Sequence, residues 1–321
     1  MKPISKLITM KKEIRELVKK FTQVEVNRHK LSKKLRSLAD NFDAYNSNGT
    51  SFVKSMNEFI EEMKYNKGYM ADSIKTGYHE IDTRFGAFNQ GDLIIVAGRP
   101  SMGKTQLMIN MSLNMSKKDN VLYVTSDLNA RLLSRRFLAT TAESSNIEKM
   151  EKDSTKKEEY NFSNLIISEN KELKEIITLC RNQFKLNNIK VVFIDYLQLL
   201  NNVYLLKNPE KKLCTMLNKL KQLAVELNIC IVVSSQLNKK AEARGFASYP
   251  QLCDLRDMGA SEKLASKVLI LYRPEYYGFE LDDENNDTKG ILKVSFVKNK
   301  NGPEGKICLR RIENFNIIDN M

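Results

Sequence analysis

Histidine is scarce in this sequence, and cysteine does not occur in any spacing typical of metal binding. The two histidines, His29 and His79, leave little material for histidine-based metal or triad chemistry. The five cysteines are widely separated and form no Cys-x-x-Cys pair, which fits a reducing compartment. No apolar run reaches the roughly 18 residues of a membrane span, and the N-terminus lacks the apolar stretch of a secretory signal. We therefore expect a cytoplasmic protein with no membrane partner.

Positive charge is the feature that the sequence has in excess. Among 321 residues, 52 are Lys or Arg and 39 are Asp or Glu, which gives a net charge of +13. Such an excess favours a polyanionic partner, because binding phosphates releases counterions. Nucleic acid is the leading candidate, and the alternative is a lysine-rich solvated surface.

The hydrophobic pattern divides the chain near residue 73. Residues 1–73 are lysine-rich and have a helical period, and a linker helix is predicted near 50–65. One face of that helix is apolar, and it carries Phe52, Met56, Phe59, Ile60 and Met63. Because so short a helix cannot bury this face alone, we expect it to pack on the main domain or on a neighbouring subunit.

Residues 74–321 predict an α/β domain with a mostly parallel central sheet. Continuous apolar runs indicate strands that are covered on both faces, at 93–97, 121–124, 191–194, 229–233 and 268–271. Helical patterns occur between them at 105–115 and 213–227, and the charge-dense stretch 148–160 predicts an exposed connection. Residues 291–297 and 306–312 flank Asn301, Gly302 and Pro303, which predicts a C-terminal β hairpin.

A phosphate-binding loop follows the first of these strands. The pattern G-x-x-x-x-G-K-[ST] lies between a strand and a helix, as it must to cradle phosphates with backbone N–H groups. Lys104 is then expected to reach the β and γ oxygens, and Thr105 to offer its hydroxyl to Mg²⁺. The predicted ATP-binding residues are Gly98, Arg99, Pro100, Ser101, Met102, Gly103, Lys104, Thr105 and Gln106.

A carboxylate for the metal is expected at the end of a later strand. Asp195 follows the apolar run 191–194, where a second group could hold the Mg²⁺ water shell. The alternative is an ordinary aspartate that caps a turn. With the phosphate loop upstream, the pattern predicts a nucleoside triphosphate site that uses Mg²⁺.

Several further segments of residues 76–312 resemble the ATPase domain of DnaB-type replicative helicases. The similarity is carried, in order, by residues 91–105, 194–199, 235–238, 254–260, 272–277 and 298–303. The resemblance implies a RecA-like P-loop ATPase that forms a hexameric ring on single-stranded DNA. A recombinase-like filament shares this core but fits residues 254–256 and 302–303 less well.

The resemblance also implies roles for individual residues. Gln236 would sense the γ-phosphate, and Lys298 and Lys300 would reach the phosphates bound by an adjacent subunit. Arg256, Asp257 and Gly259 would lie on a loop that holds single-stranded DNA by its phosphates. The alternatives are a structural ion pair of Arg256 with Asp254 or Asp257, and a solvated basic hairpin for the two lysines.

Three departures from the family pattern bear on activity. Asp127 stands where the family usually has the glutamate that orients the attacking water, and Lys300 stands at the arginine finger position. Residues 1–70 are too short for the family's N-terminal collar, although they could still contact a primase, a loader or another replication protein. Two hypotheses follow: a compact ATP-driven helicase, or a nucleotide-gated DNA-binding ring or adaptor with weak or lost hydrolysis.

Overall fold

Nine strands and five α-helices form the described part of this chain. The computed structural model describes residues 73–141, 162–237, 250–258, 261–282, 285–312 and 317–321. The predicted linker helix near 50–65 and the predicted connection at 148–160 lie outside these residues. The strands are β1 Leu93–Gly98, β2 Val121–Thr125, β3 Leu165–Glu169, β4 Val191–Asp195, β5 Cys230–Gln236, β6 Lys267–Tyr272, β7 Ile291–Asn299, β8 Gly305–Ile312 and β9 Ile317–Asp319.

All nine strands belong to one sheet, in the order β3-β2-β4-β5-β1-β6-β7-β8-β9. The six strands from β3 to β6 run parallel, and β7, β8 and β9 add antiparallel pairs at one side. The predicted parallel sheet with a C-terminal hairpin is therefore confirmed. The carboxyl ends of the parallel strands share one edge, where α/β sheets bind their ligands.

Helices cover both faces of the sheet. The five are α1 Lys104–Ser116, α2 Ala130–Thr141, α3 Leu173–Asn187, α4 Pro209–Leu227 and α5 Ser261–Leu264. Helices α1 and α2 share one hydrophobic core with the face of β1 that carries Ile94 and Val96. Helices α3 and α4 share the other core, which contains Leu93 and Ile95. Because adjacent side chains alternate between the two faces, both kinds of position must be apolar, which explains the uninterrupted runs.

The five strands predicted from apolar runs are present, and so are the two predicted helices. The structure adds β3, α2, α3 and β9, which local sequence patterns did not predict separately. Shorter turns complete the chain: a π-helical turn at Ile81–Gly86 and 3₁₀ turns at Leu197–Leu205, Leu252–Met258 and Glu275–Tyr277. None of the helices in the described part of the chain has the length and apolarity that crossing a membrane requires.

The β7–β8 hairpin returns toward the amino edge of the parallel strands. Lys267, the first residue of β6, pairs with Asn299, the last residue of β7. The register of this pair shifts between Val268 and Leu269, which marks a β-bulge next to Lys298. The hairpin turn consequently lies at the edge opposite the carboxyl ends of β1 and β6.

Candidate functional site

The phosphate-binding loop joins the carboxyl end of β1 to the start of α1. Ser101 and Gly103 adopt left-handed backbone conformations, with φ of 62° and 88°, and Gly103 is the N-cap residue of α1. Glycine suits φ near 88°, and alternating backbone hands of this kind turn successive N–H groups toward an anion. The predicted loop therefore has a backbone suited to phosphate binding.

The Lys104 ammonium group lies inside this loop. Its Nζ donates hydrogen bonds to the carbonyl oxygens of Gly98, at 3.0 Å, and Arg99, at 2.8 Å. Burial lowers the pKa of Lys104 to about 8, and the charge of Asp195 acts in the opposite direction. A desolvated ammonium group is a strong point charge for an arriving phosphate.

Two hydroxyl groups orient the Asp195 carboxylate at the end of β4. Ser234 of β5 donates a short hydrogen bond to Oδ1, and Tyr123 of β2 donates one to Oδ2 at 3.2 Å. Asp195 is only 4% exposed, so the strands on either side of β4 fix both of its oxygens. Sequence reasoning missed Ser234 and Tyr123, because their approach depends on strand order and register.

A pocket of about 450 Å³ opens beside the loop. Its wall includes Lys104 and Thr105, together with side chains from α2 and from the end of β6. The residues that line it are Ser101, Gly103, Lys104, Thr105, Gln106, Ile109, Arg136, Thr140 and Arg273. The structure thus brings together five of the predicted nucleotide-binding residues and adds two arginines, Arg136 and Arg273, as pocket residues.

The remaining loop residues contribute in different ways. Pro100 is exposed, whereas Met102 is fully buried and packs into the core. Arg99 is 1% exposed, and its guanidinium group lies 5.5 Å from the centre of the Tyr277 ring. Gly98 leaves little room for a side chain, since a Cβ there would lie 3.3 Å from Leu271 O.

An ion cluster fastens the loop to the end of the sheet. Arg273 donates to Ser101 O at 3.0 Å and to Glu275 at 2.7 Å, and Arg311 of β8 donates to the same carboxylate at 2.9 Å. Burial alone would raise the pKa of Glu275, but hydrogen bonds from Gly290 N–H and the two arginines lower it to about 2. Because Arg273 contacts both the loop and the cluster, the cluster holds one wall of the pocket.

Gln236 ends β5 beside the start of the loop. It pairs with Gly98 of β1, and Leu237 N–H donates to Gly98 O at 3.3 Å. Gln198 holds this backbone from the other side, because its Nε2 donates to Gln236 O at 3.1 Å. Gln236 is therefore part of the same carboxyl edge as the phosphate loop and Asp195.

Comparison with known protein families identifies this arrangement. Residues 73–320, more than half of the chain, match the DnaB-like helicase C terminal domain. The chain belongs to this family. The expected RecA-like fold is confirmed by its likeness to a solved helicase ATPase domain, with a TM-score of 0.73 and 25% identity over 85% of this chain and all of that one.

Sequence relatives agree with this assignment. The chain is 31% identical over 303 residues to a probable replicative DNA helicase of Trieres chinensis, covering 89% of this chain and 65% of that protein. It is 30% identical over 309 residues to the replicative DNA helicase DnaB of Rickettsia typhi, covering 85% and 61%. The match therefore spans less than two thirds of the length of either relative.

The family-derived positions are distributed over two edges of the sheet. Asp127 is exposed, two residues beyond β2, on the side where β2 pairs with Asp195. Lys298 is half-buried at the end of β7, and Lys300 is exposed in the hairpin turn at the opposite edge. These two lysines are not brought together with the phosphate loop of their own chain.

The predicted DNA-binding residues are described only in part. The backbone of Arg256 and Asp257 belongs to the 3₁₀ turn Leu252–Met258, whereas their side chains and all of Gly259 lie outside what the structure describes. Within the described ranges, no group of three or more His, Cys, Asp and Glu side chains could hold a metal ion. The roles of these residues, and of Asp127, Gln236, Lys298 and Lys300, stay predictions.

Proposed function

We propose that this chain is an ATP-driven, ring-forming DNA helicase motor that binds single-stranded DNA and translocates along it during replication. One observation carries the proposal. In a chain of the DnaB-like family, the phosphate loop, Thr105, Arg136 and Arg273 surround a single pocket at the carboxyl edge of the sheet, beside the oriented carboxylate of Asp195. This combination supports binding and hydrolysis of a nucleoside triphosphate.

The donor groups fit Mg²⁺ bound together with a nucleotide. Mg²⁺ keeps several waters and takes one or two protein oxygens besides the phosphates, so a cage of protein ligands is not required. The Thr105 hydroxyl and the Asp195 carboxylate would supply those oxygens. Bound Mg²⁺ would neutralise charge on the β- and γ-phosphates, while Lys104 and the N-terminus of α1 bind the phosphate oxygens.

The position of the hairpin turn supports assembly of several subunits. Lys267 pairs with Ile94 of β1 and with Asn299, so Lys300 lies beyond the amino end of these strands. The phosphate loop begins after Gly98, about 16 Å further along β1 at about 3.3 Å per residue. Lys298 and Lys300 would therefore act on ATP held by a neighbouring subunit, as a hexameric ring requires.

Mixed assemblies test this arrangement. Lys104→Ala subunits would lack a working phosphate site, and Lys300→Ala subunits would lack the group donated to the neighbour. Mixing the two should restore part of the ATPase activity, because some interfaces then combine an intact Lys104 with an intact Lys300. Mixtures no more active than the separate variants would contradict action in trans.

Single-stranded DNA is the proposed track, and other replication proteins are the proposed partners. Arg256, Asp257 and Gly259 would hold the DNA phosphates, and the net charge of +13 favours such a polyanion. A structure described as a DnaB-like replicative helicase and its interactions with primase shares this fold, with a TM-score of 0.70. Residues 1–70 are the segment through which we propose contact with a primase, a loader or another replication protein.

A nucleotide-gated DNA-binding ring with weak or lost hydrolysis is the second candidate. It is favoured by Asp127, whose carboxylate is one methylene shorter than that of the usual glutamate and lies exposed after β2. Such a displacement can cost on the order of 10²-fold in rate. Lysine at position 300 keeps a charge but loses the two-pronged geometry of arginine.

Single-turnover ATP hydrolysis with and without single-stranded DNA separates the two candidates. For a motor, DNA should stimulate hydrolysis, and Asp127→Asn should abolish it while ATP binding persists. Lys300→Arg should raise turnover or leave it unchanged. Background turnover that Asp127→Asn does not alter, together with DNA binding that follows ATP occupancy, would support the gated ring instead.

A further inference from the structure

Lys267 places a lysine side chain in the interior, far from the phosphate loop. It is 1% exposed, and burial lowers its pKa, although the charge of Asp92 opposes that effect. Its Nζ donates three hydrogen bonds: to Phe85 O at 2.7 Å, to Gly86 O at 3.0 Å and to Asn299 Oδ1 at 3.1 Å. All three ammonium protons thus have acceptors, as a buried charge requires.

Asn299 extends this network into the hairpin turn. Its amide Nδ2 donates to Phe85 O at 2.8 Å and to Pro303 O at 3.0 Å, so one side chain joins both ends of the turn to the π-helical turn at Ile81–Gly86. Packing there is tight, since a Cβ on Gly302 would lie 2.7 Å from the Asn299 Nδ2 atom. The turn is therefore fixed by specific bonds.

The two residues that flank Asn299 are the proposed trans-acting lysines. Asn299 is buried, whereas Lys298 is half-buried and Lys300 is exposed. The bulge beside Lys298 and the hydrogen bond from Lys300 N–H to Ser266 O, at 2.9 Å, fix the backbone on either side. Bulges often serve to aim a neighbouring side chain.

We infer that Lys267 and Asn299 are positioning residues that hold the hairpin turn so that Lys298 and Lys300 reach the phosphates bound by the neighbouring subunit. This inference rests on the proposed function. A fixed turn matters for two flexible lysines, because a displacement of about 1 Å at a reacting centre can cost on the order of 10²-fold in rate. The buried charge at Lys267 would then serve precise placement of the turn as well as stability.

Steady-state ATPase of the full chain with single-stranded DNA tests the inference. Lys267→Met and Asn299→Ala should each lower kcat by about 10- to 100-fold and leave KM for ATP unchanged, because the phosphate loop lies at the other edge. Lys293→Met is the matched control, since this lysine lies on the same strand but pairs with Asp282 at 3.2 Å, away from the turn. It should retain wild-type kcat.

A double-mutant comparison separates positioning from general damage. If Lys267 acts through Lys300, adding Lys267→Met to Lys300→Ala should cause little further loss of kcat. Losses that multiply, or a KM that rises with the fall in kcat, would overturn the inference. Asn299→Ala serves the same comparison if Lys267→Met does not fold, as judged by circular dichroism and thermal unfolding.

The outcomes distinguish this inference from the proposed function. Full activity in Lys267→Met and Asn299→Ala, with a slow Lys300→Ala, would overturn the positioning role alone. Full activity in Lys300→Ala would refute the trans-acting lysine and the inference with it. If wild-type turnover is at background, ATP-dependent assembly measured by sedimentation replaces kcat, and both variants should weaken it relative to Lys293→Met.

Discussion

Ser234 offers a specific test of how the metal carboxylate is oriented. Its hydroxyl donates a short hydrogen bond to Asp195 Oδ1 between two adjacent strands. A hydrogen bond to a charged group contributes about 1.5–3 kcal/mol, and 1.4 kcal/mol corresponds to about a tenfold change in affinity. Ser234→Ala should therefore weaken the contribution of Mg²⁺ to nucleotide binding by about 10- to 100-fold, the range typical of groups behind a metal ligand.

Tyr123→Phe should have a smaller effect on the same quantity. The Tyr123 hydroxyl lies 3.2 Å from Asp195 Oδ2, a longer bond than that from Ser234. A phenylalanine ring would keep the packing with Phe193, at a centroid distance of 5.8 Å, and with Phe137, at 5.5 Å. The two variants thus rank the two hydroxyls without disturbing the core.

A fluorescent ADP analogue, titrated in Mg²⁺ and in EDTA, provides the measurement. Affinity in EDTA should be the same for the wild type and both variants, because Lys104 and the loop are unchanged. Ser112→Ala is a suitable control, since that serine is also fully buried but bonds to Ile109 O within α1. An unchanged Mg²⁺ effect in Ser234→Ala, or an equal loss of affinity in EDTA, would refute the reasoning.

Three further outcomes can be checked on the same protein. Lys104→Ala should abolish ATP-dependent assembly and hydrolysis, and unchanged turnover would refute the phosphate-loop assignment. Arg256→Ala should weaken single-stranded DNA binding equally for different sequences and reduce its salt dependence, measured by fluorescence anisotropy. The folded-state pKa of Glu275, about 2, lies below its ordinary 4.5, so its stabilisation is complete above the ordinary value and is lost as pH falls toward the folded one. The difference in unfolding temperature between wild type and Glu275→Gln should therefore shrink between about pH 6 and about pH 2, whereas the exposed Arg181 partner Glu226 should show little difference when changed to Gln.

Local sequence patterns predicted the centre of the fold better than its margins. Strands β1, β2, β4, β5 and β6 are buried on both faces, so their sequences carry continuous apolar runs. Strand β3 lies at the edge of the sheet, and four of its five residues are only half-buried. An edge strand needs fewer apolar residues, which is why its pattern carried no clear signal.

The candidate site shows the same division between local and long-range information. The phosphate loop is contiguous, so its spacing alone predicted Lys104 and Thr105. The groups that orient Asp195 come from β2 and β5, and their contact follows from the order and register of three strands. The pair Arg273 and Glu275 lies in a segment similar to the family, yet their link to Ser101 O depends on a loop 172 residues away in the chain.

Strand direction is the information that changes the meaning of Lys298 and Lys300. A parallel β7 would have ended at the carboxyl edge and brought both lysines to the nucleotide pocket of their own chain. Because β7 runs antiparallel to β6, it ends beside Lys267 at the amino edge, and the turn that follows lies a full strand length from the loop. On the proposed function, the same chain that binds the nucleotide cannot supply these two charges to it. Assembly would then be a condition for hydrolysis, and the lysine at position 300 would depend on a rigid turn because its single ammonium group lacks the two-pronged geometry of an arginine.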